Sequence, residues 1–354
     1  MSGVEAHHRR RAIVLALAGL ALLATRPGSA AEQAPRPIVQ GYEYQLRRLT
    51  DRVHVIKQAE PFHVQPLGNV TVVEQEDGFV LIDAGGSRES AERIGALVRR
   101  IGRKPVKAIV LTHWHADHSL GAATLLAAWP GAELIATRAT AGHLAGPEMA
   151  MYVSAKEEAV REQLAATANR FAAAAARPGL DPSERAGFAR TAAEVRAHAA
   201  DLAGTQVARP TRLVGAEVRL DDPVAPVELM PAKANTDGDL IAWLPRQRVL
   251  ATGDVVVSPV PFGFDAFPRS WAAVVDRLIR LDHRFLVPGH GAVQTGADYL
   301  VRLRGFLADA AEGRADLSAQ VERIAGGNAW LRRWARSYWA EPIARSAEVE
   351  GKAP

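Results

Sequence analysis

One short segment constrains this chain more than any other: Thr112-His113-Trp114-His115-Ala116-Asp117-His118, placed directly after the apolar run 107–111. Three imidazoles and a carboxylate crowd into six positions. Imidazole nitrogen and carboxylate oxygen both bind zinc at about 2.0–2.2 Å, so a site built from them needs ligands that converge from a short, irregular stretch of backbone. The apolar run supplies a buried strand, and the stretch leaves from its end. His113 and His115, two apart, can face one way while Asp117 and His118 turn toward a second position. A surface loop that is merely rich in histidine is the alternative. With only 11 His in 354 residues, such spacing rarely arises by chance.

Two later segments repeat the theme. Gly253-Asp254 follows the strand-like run 249–252, and Gly289-His290-Gly291 follows the run 285–287. Both lie at carboxyl ends of strands, where ligands gather in α/β folds. Taken singly, each reads as an ordinary turn or loop. The chain has no cysteine, which excludes disulfides, thiolate ligands and a cysteine nucleophile. Any metal is therefore held by nitrogen and oxygen. Lys and Arg exceed Asp and Glu by 43 minus 39, a net charge of +4, without a basic patch broad enough to imply nucleic acid.

The N-terminus carries basic residues from His7 to Arg11, an uncharged apolar run over 12–25, and small residues at Gly28-Ser29-Ala30-Ala31. That is the pattern of a secretory signal peptide over residues 1–30, leaving an exported, periplasmic or secreted protein. An uncleaved anchor is the other reading, but the apolar run is shorter than the roughly 20 residues a membrane span needs. No stable span is expected after cleavage. Pro35 and Pro37 mark residues 31–52 as a linker.

Beyond it, β-type runs at 53–57, 70–74 and 79–83 precede a helix expected from Ser87 to Ile101, the strand 107–112, a helix over 119–128 and a strand over 133–137. Residues 149–203 then turn Ala-rich and helical, broken once at Arg177-Pro178-Gly179. The restart at Asp181-Pro182-Ser183-Glu184 has an N-cap, a proline at the first helical position and an acid at the third. This reads as an inserted helical hairpin, with lid, interaction arm and solvated insertion all open as roles. Strand-like runs resume at 211–214, 227–230, 240–244, 249–252 and 285–287, with a helix over 270–282 and a helical region after Gly296. Trp330, Trp334 and Trp339 approximate helical spacing, as core or interface residues do.

His113-Trp114-His115-Ala116-Asp117-His118, then Asp254, then His290 resembles the metallo-β-lactamase fold superfamily of metal-dependent hydrolases. Leu81-Ile82-Asp83-Ala84-Gly85 and Thr236-Asp237-Gly238-Asp239 add to the likeness, which covers roughly residues 53–307. The resemblance implies a mixed α/β, four-layer αββα sandwich over residues 53–328, with the hairpin inserted at 149–203 and a tail over 329–354. It also implies two zinc positions along one edge. His113, His115 and a third histidine hold the first. Asp117, His118 and His290 hold the second, and Asp254 bridges them.

The third histidine is replaced here by Asn235. An amide oxygen is a weaker zinc ligand than imidazole, so one zinc is expected and two stay possible. Three consequences compete: a single-metal enzyme, a replacement ligand from elsewhere, or a protein without catalysis. His63 and His143 are the candidate replacements. As an enzyme, the chain is expected to hydrolyse a small-molecule ester, thioester, lactam or related bond through a metal-activated water, which Asp117 orients. The rival is a non-catalytic binding or accessory protein of the same fold. Homo-oligomerisation is open.

Overall fold

A computed structural model describes residues 44–58, 67–149, 152, 157–202, 204–311 and 316–351; the expected signal peptide and His63 lie outside them. The strands run β1 (Tyr44–Arg48), β2 (Val53–Gln58), β3 (Val70–Glu74), β4 (Phe79–Ile82), β5 (Val106–Val110), β6 (Glu133–Thr137), β7 (Arg212–Val214), β8 (Val218–Leu220), β9 (Val227–Ala232), β10 (Asp239–Leu244), β11 (Val249–Ala251), β12 (Phe285–Val287) and β13 (Gln294–Thr295). The first seven form one sheet in chain order and the rest form a second, ordered β13-β12-β11-β10-β9-β8.

Side chains alternate across a strand, and here both faces of each central strand are apolar. In β4, Val80 and Ile82 join Val53, Val110, Leu229, Leu240 and Ala251 in the layer between the sheets. Phe79 and Leu81 point the other way, onto Ile94, Val98 and Leu125. In β10, Leu240, Ala242 and Leu244 face the first sheet, while Ile241 and Trp243 face Trp271, Val275 and Leu303. Strands buried on both faces require helices outside both sheets. The result is the expected four-layer αββα sandwich.

The outer helices are α1 (Arg88–Ile101), α2 (Ala116–Ser119), α3 (Ala122–Ala128), α4 (Arg138–Ala145), α5 (Glu157–Ala175), α6 (Pro182–Asp201), α7 (Pro268–Ile279), α8 (Asp298–Ala311), α9 (Leu317–Ala325), α10 (Ala329–Trp334) and α11 (Glu341–Gly351), with a π-helix at Ala335–Ala340. Ser87 and Ser90 cap α1 reciprocally. The hairpin is present as α5 and α6, and Asp181 caps α6 ahead of Pro182 as expected. The ring of Phe188 on α6 meets Trp330 at 5.0 Å, and Arg333 pairs with Glu184, so α6 packs on the C-terminal helices. No helix among the described residues is long and apolar enough to cross a membrane.

Two boundaries differ from expectation. Residues 44–48, placed in the linker, form edge strand β1 on β2; Arg47 and Arg48 at a solvated edge hide its signature. Residues 329–351 are not a tail. Trp330, Trp334 and Trp339 are buried in the helical layer over the second sheet. The Trp339 ring packs near Trp271 and Phe306, and its Nε1–H donates to Gln320 Oε1 at 2.8 Å. Trp339→Ala should destabilise the chain by about 3–5 kcal/mol, read as a lower urea midpoint at unchanged slope. A loss below 1 kcal/mol would return these residues to the status of a tail.

Candidate metal centre

The cluster leaves the end of β5. Thr112 is pinned by Leu240 N–H, which donates to its carbonyl at 2.7 Å, and by its own N–H, which donates to Asp83 Oδ1 at 2.8 Å. His115 then occupies the N-cap position of α2, so Asp117 and His118 sit on one helical turn. Asp254 lies in a 3-10 turn after β11, and His290 follows β12. Gly289 is required between them: a β-carbon there would collide with Asp254 Oδ1. Asn69 holds the same loop, its side-chain amide donating to Pro288 O at 2.9 Å and Gly291 O at 3.1 Å.

Four donors converge at the second position. His118 Nε2 lies 3.0 Å from His290 Nε2, 3.2 Å from Asp254 Oδ1 and 3.5 Å from Asp117 Oδ2. His290 Nε2 lies 2.9 Å from Asp117 Oδ2 and 3.4 Å from Asp254 Oδ1. Donors of one tetrahedral zinc, each about 2.0–2.1 Å from it, stand roughly 3.3–3.4 Å apart. The observed separations bracket that value, so Asp117, His118 and His290 fit one ion, with Asp254 Oδ1 beside both rings. Asp254 Oδ2 faces the other way, 3.7 Å from His113 Nε2, which places one carboxylate between two positions.

At His118 and His113 the ring tautomer is set by what stands behind the imidazole. Asp83 Oδ2 lies 2.8 Å from His118 Nδ1 and accepts from the Thr112 hydroxyl at 2.9 Å. A carboxylate behind the ring fixes Nδ1–H and leaves Nε2 for a metal. Because the Thr112 hydroxyl donates to Asp83, its lone pair accepts from His113 Nδ1–H at 3.0 Å. His113 Nε2 is left buried and without a hydrogen-bond partner.

Burial alone depresses an imidazole pKa, but at His118 the charges of Asp254, Asp117 and Asp83 overcome it and hold the ring well above its ordinary value. At His290, Asp254 and Asp117 likewise outweigh burial and push the pKa to about 9. Burial would raise both partner carboxylates, yet His118 and His290 hold Asp117 and Asp254 below the usual range. His113 goes the opposite way, pushed well down by burial with His118 and His115 alongside. The carboxylates thus demand positive charge, which protons supply until a metal replaces them.

The sequence candidates are not all brought together. Groups able to share one ion are His113, His118 and Asp254, and Asp117, His118 and His290. His115 is in neither; its Nε2 faces Asp265 Oδ2 at 3.8 Å. Asn235 is fully buried, its Nδ2–H donating to Phe262 O at 2.8 Å, with Oδ1 unpartnered. His143 is no replacement ligand: Nε2 bonds Asp237 Oδ1 at 3.0 Å and Nδ1 lies 3.4 Å from Glu148 Oε1. Its hydrogen bond to the Asp237 carboxylate raises its pKa against burial. Sequence reading gave no role to Asp83, Asn69 or Asp265. Asp83 was visible as the acid ending an apolar strand; nothing in the sequence marked the other two.

A family model described as the metallo-beta-lactamase superfamily matches residues 65–290. That is more than half the chain, and the chain belongs to this superfamily of metal-dependent hydrolases. A linear primary-alkylsulfatase from a Pseudomonas species is 23% identical over 264 residues, 68% of this chain and 44% of the relative. The chain thus spans under half the length of that protein. A metallo-beta-lactamase from Pontibacter korlensis matches 75% of this chain and 100% of its own at TM-score 0.51 and 18% identity. A stereoselective inverting sec-alkylsulfatase from a Pseudomonas species matches 86% of this chain and 49% of its own at TM-score 0.58 and 18% identity. At that identity the structures speak for the fold.

The carboxylates hold both His118 and His290 above the ordinary imidazole value. Zinc uptake at pH 7 should therefore release protons, measurable by calorimetry in buffers of different ionisation enthalpy; uptake without proton release would contradict this charge balance. Asp83→Ala should weaken that ion by about 10–100-fold, measured by competition with a chelator.

Proposed function

We propose that this chain is an exported metal-dependent hydrolase acting on a small-molecule ester-type bond from the position held by Asp117, His118, Asp254 and His290. The carrying observation is the spacing of the His118 and His290 Nε2 atoms from each other and from oxygens of Asp117 and Asp254, 2.9–3.5 Å. A bound zinc ion supplies acidified water near neutral pH and polarises the oxygen under attack. The protein's part follows from exposure. His118, His290 and Asp254 side chains are 0%, 1% and 2% exposed, whereas Asp117 is 23% exposed. Asp117 is the member of the set that reaches incoming water and substrate. It orients the attacking water and takes its proton, while His118 and Asp83 keep the opposite side rigid.

The two alkylsulfatase relatives favour a sulfate ester as the first substrate class to try, ahead of carboxylic esters, thioesters and lactams. Zinc is the metal proposed. The N-terminal pattern supports export. A non-catalytic accessory role is the second reading, favoured by Asn235 at the first position and by His115 standing outside the convergent set.

The test is turnover of an alkyl sulfate, a carboxylic ester, a thioester and a lactam by purified protein, before and after chelation. Chelation should abolish activity and zinc should restore it. Because the ion contributes several kcal/mol to the barrier, His118→Ala and His290→Ala should each cost on the order of a thousandfold in kcat/KM. Metal-replete protein without chelator-sensitive turnover on any of the four classes would favour the accessory role.

A further inference from the structure

We propose that the inserted hairpin, α5 and α6, is a fixed strap across the metal edge and that His198 is the side chain it presents to the substrate. The inference rests on the hydrolase reading and adds a specificity-determining contact to it.

The path of the two helices is the first argument. Val160 on α5 belongs to the apolar layer outside the first sheet, and Ala174 to the layer outside the second. On α6 the order reverses, with Phe188 in the layer outside the second sheet and Leu202 in the layer outside the first. Each pair is fourteen residues apart, roughly 21 Å of helix. Sheets stacked about 10 Å apart put the layers outside them about 20 Å from each other. Both helices therefore cross the thickness of the sandwich. They run side by side, Arg196 donating to Asn169 Oδ1 at 3.1 Å.

The anchors fix which edge is crossed. The start of α6 is pressed onto α10: a β-carbon at Gly187 would collide with the Trp330 ring, and Trp330 N–H donates to Ser183 Oγ at 3.3 Å. One turn further on, the Trp334 ring meets Tyr338 at 3.8 Å, Tyr338 meets Phe262 at 5.3 Å, and Phe262 meets His290 at 5.5 Å. The end of α6 is tied to α1. Asp201 lies 3.3 Å from the Arg93 guanidinium, and Thr205 Oγ1, just beyond the helix, accepts from Arg88 N–H at 2.9 Å. Two residues before Arg88, the backbone of Gly86 lies directly against Asp117. The hairpin thus runs from the His290 side of the centre to the Asp117 side, held at both ends.

His198 is the third argument. It sits one turn before the Asp201 anchor, is 5% exposed, and has no hydrogen-bond partner for Nδ1 among the described residues. A buried polar atom in a native fold is almost always paired; bound substrate supplies the missing partner. Burial holds the His198 pKa at about 4 although the charge of Asp117 acts the other way. Burial and that same charge push Tyr152, ahead of α5, up to about 12 and raise Tyr338 of the π-helix. Side chains from the hairpin and from the C-terminal helices therefore surround the half-open side of Asp117. A neutral imidazole there offers a hydrogen bond without adding charge beside the metal position.

Hexane-1-sulfonate keeps the anionic group of an alkyl sulfate but has no ester bond, so its binding to the zinc-loaded full chain, read by calorimetry, tests the contact without turnover. His198→Ala should weaken binding at least about tenfold with zinc content unchanged, and His198→Asn, which returns a polar group near Nδ1, should recover most of the loss. Hydrogen exchange should find the amides of α6 as slow as those of α1, with and without the sulfonate. Absence of sulfonate binding by the native chain, or unaltered affinity in His198→Ala, overturns the proposal. Equal weakening in the Ala and Asn variants also overturns it, since His198 would then serve packing alone. Fast exchange in α6 that slows when the sulfonate binds would show a mobile lid in place of a strap. A native chain that binds the sulfonate with these properties, yet turns over none of the four ester classes, would strike at the hydrolase reading and leave the strap and its contact standing.

Discussion

Buried carboxylates facing buried imidazoles organise this molecule. Asp83, Asp117 and Asp254 converge on His118 from three directions, in a region where an uncompensated charge is costly. The sandwich is arranged to tolerate that. β4, β5, β11 and β12 end at one edge, and each strand end or the loop after it contributes one part of the charge set. The tight loops are possible because Gly68, Gly86 and Gly289 let backbone lie directly against His118, Asp117 and Asp254. A divalent ion would supply the same compensating positive charge that protons supply in its absence.

How much of this the sequence disclosed depends on whether the signal was local. The two-faced apolar strands, the capped α1 and the hairpin were readable because alternation, caps and proline placement are properties of neighbours in the chain. Edge strands β1, β8 and β13 were not: they are short, and Arg47, Arg48 and Arg219 break the apolar pattern. The same division holds at the centre. His113, Asp117 and His118 are close in sequence, and Asp254 and His290 follow strands in an ordinary way. Asn69 reaches the site only through tertiary contacts with the His290 loop, so no spacing rule could single it out. Asn235 was visible as a departure, but the Phe262 carbonyl that fixes its amide was not.

The C-terminal helices are part of the site's support. The π-helix presents the Tyr338 carbonyl to Gly263, and Ser346 Oγ–H donates to the Gly263 carbonyl at 3.2 Å. Gly263 sits between Phe262, which touches His290 and Asn235, and the turn that holds Asp265. Wide turns of this kind recur at functional positions because they free a carbonyl for another partner. The three tryptophans that anchor this region are therefore connected to metal-site geometry through a short chain of contacts.

Asp254 has one oxygen toward His118 and His290 and the other toward His113. With an ion at each of the two positions, a single carboxylate shared this way would link them thermodynamically. Whatever an ion at one position does to the affinity of the other, the reverse holds by the same factor. An ion drawing charge from one oxygen leaves the other a poorer donor, while fixing the side chain spares the second ion that ordering cost. The sign of their balance would determine whether such a pair fills stepwise or all at once as metal becomes scarce.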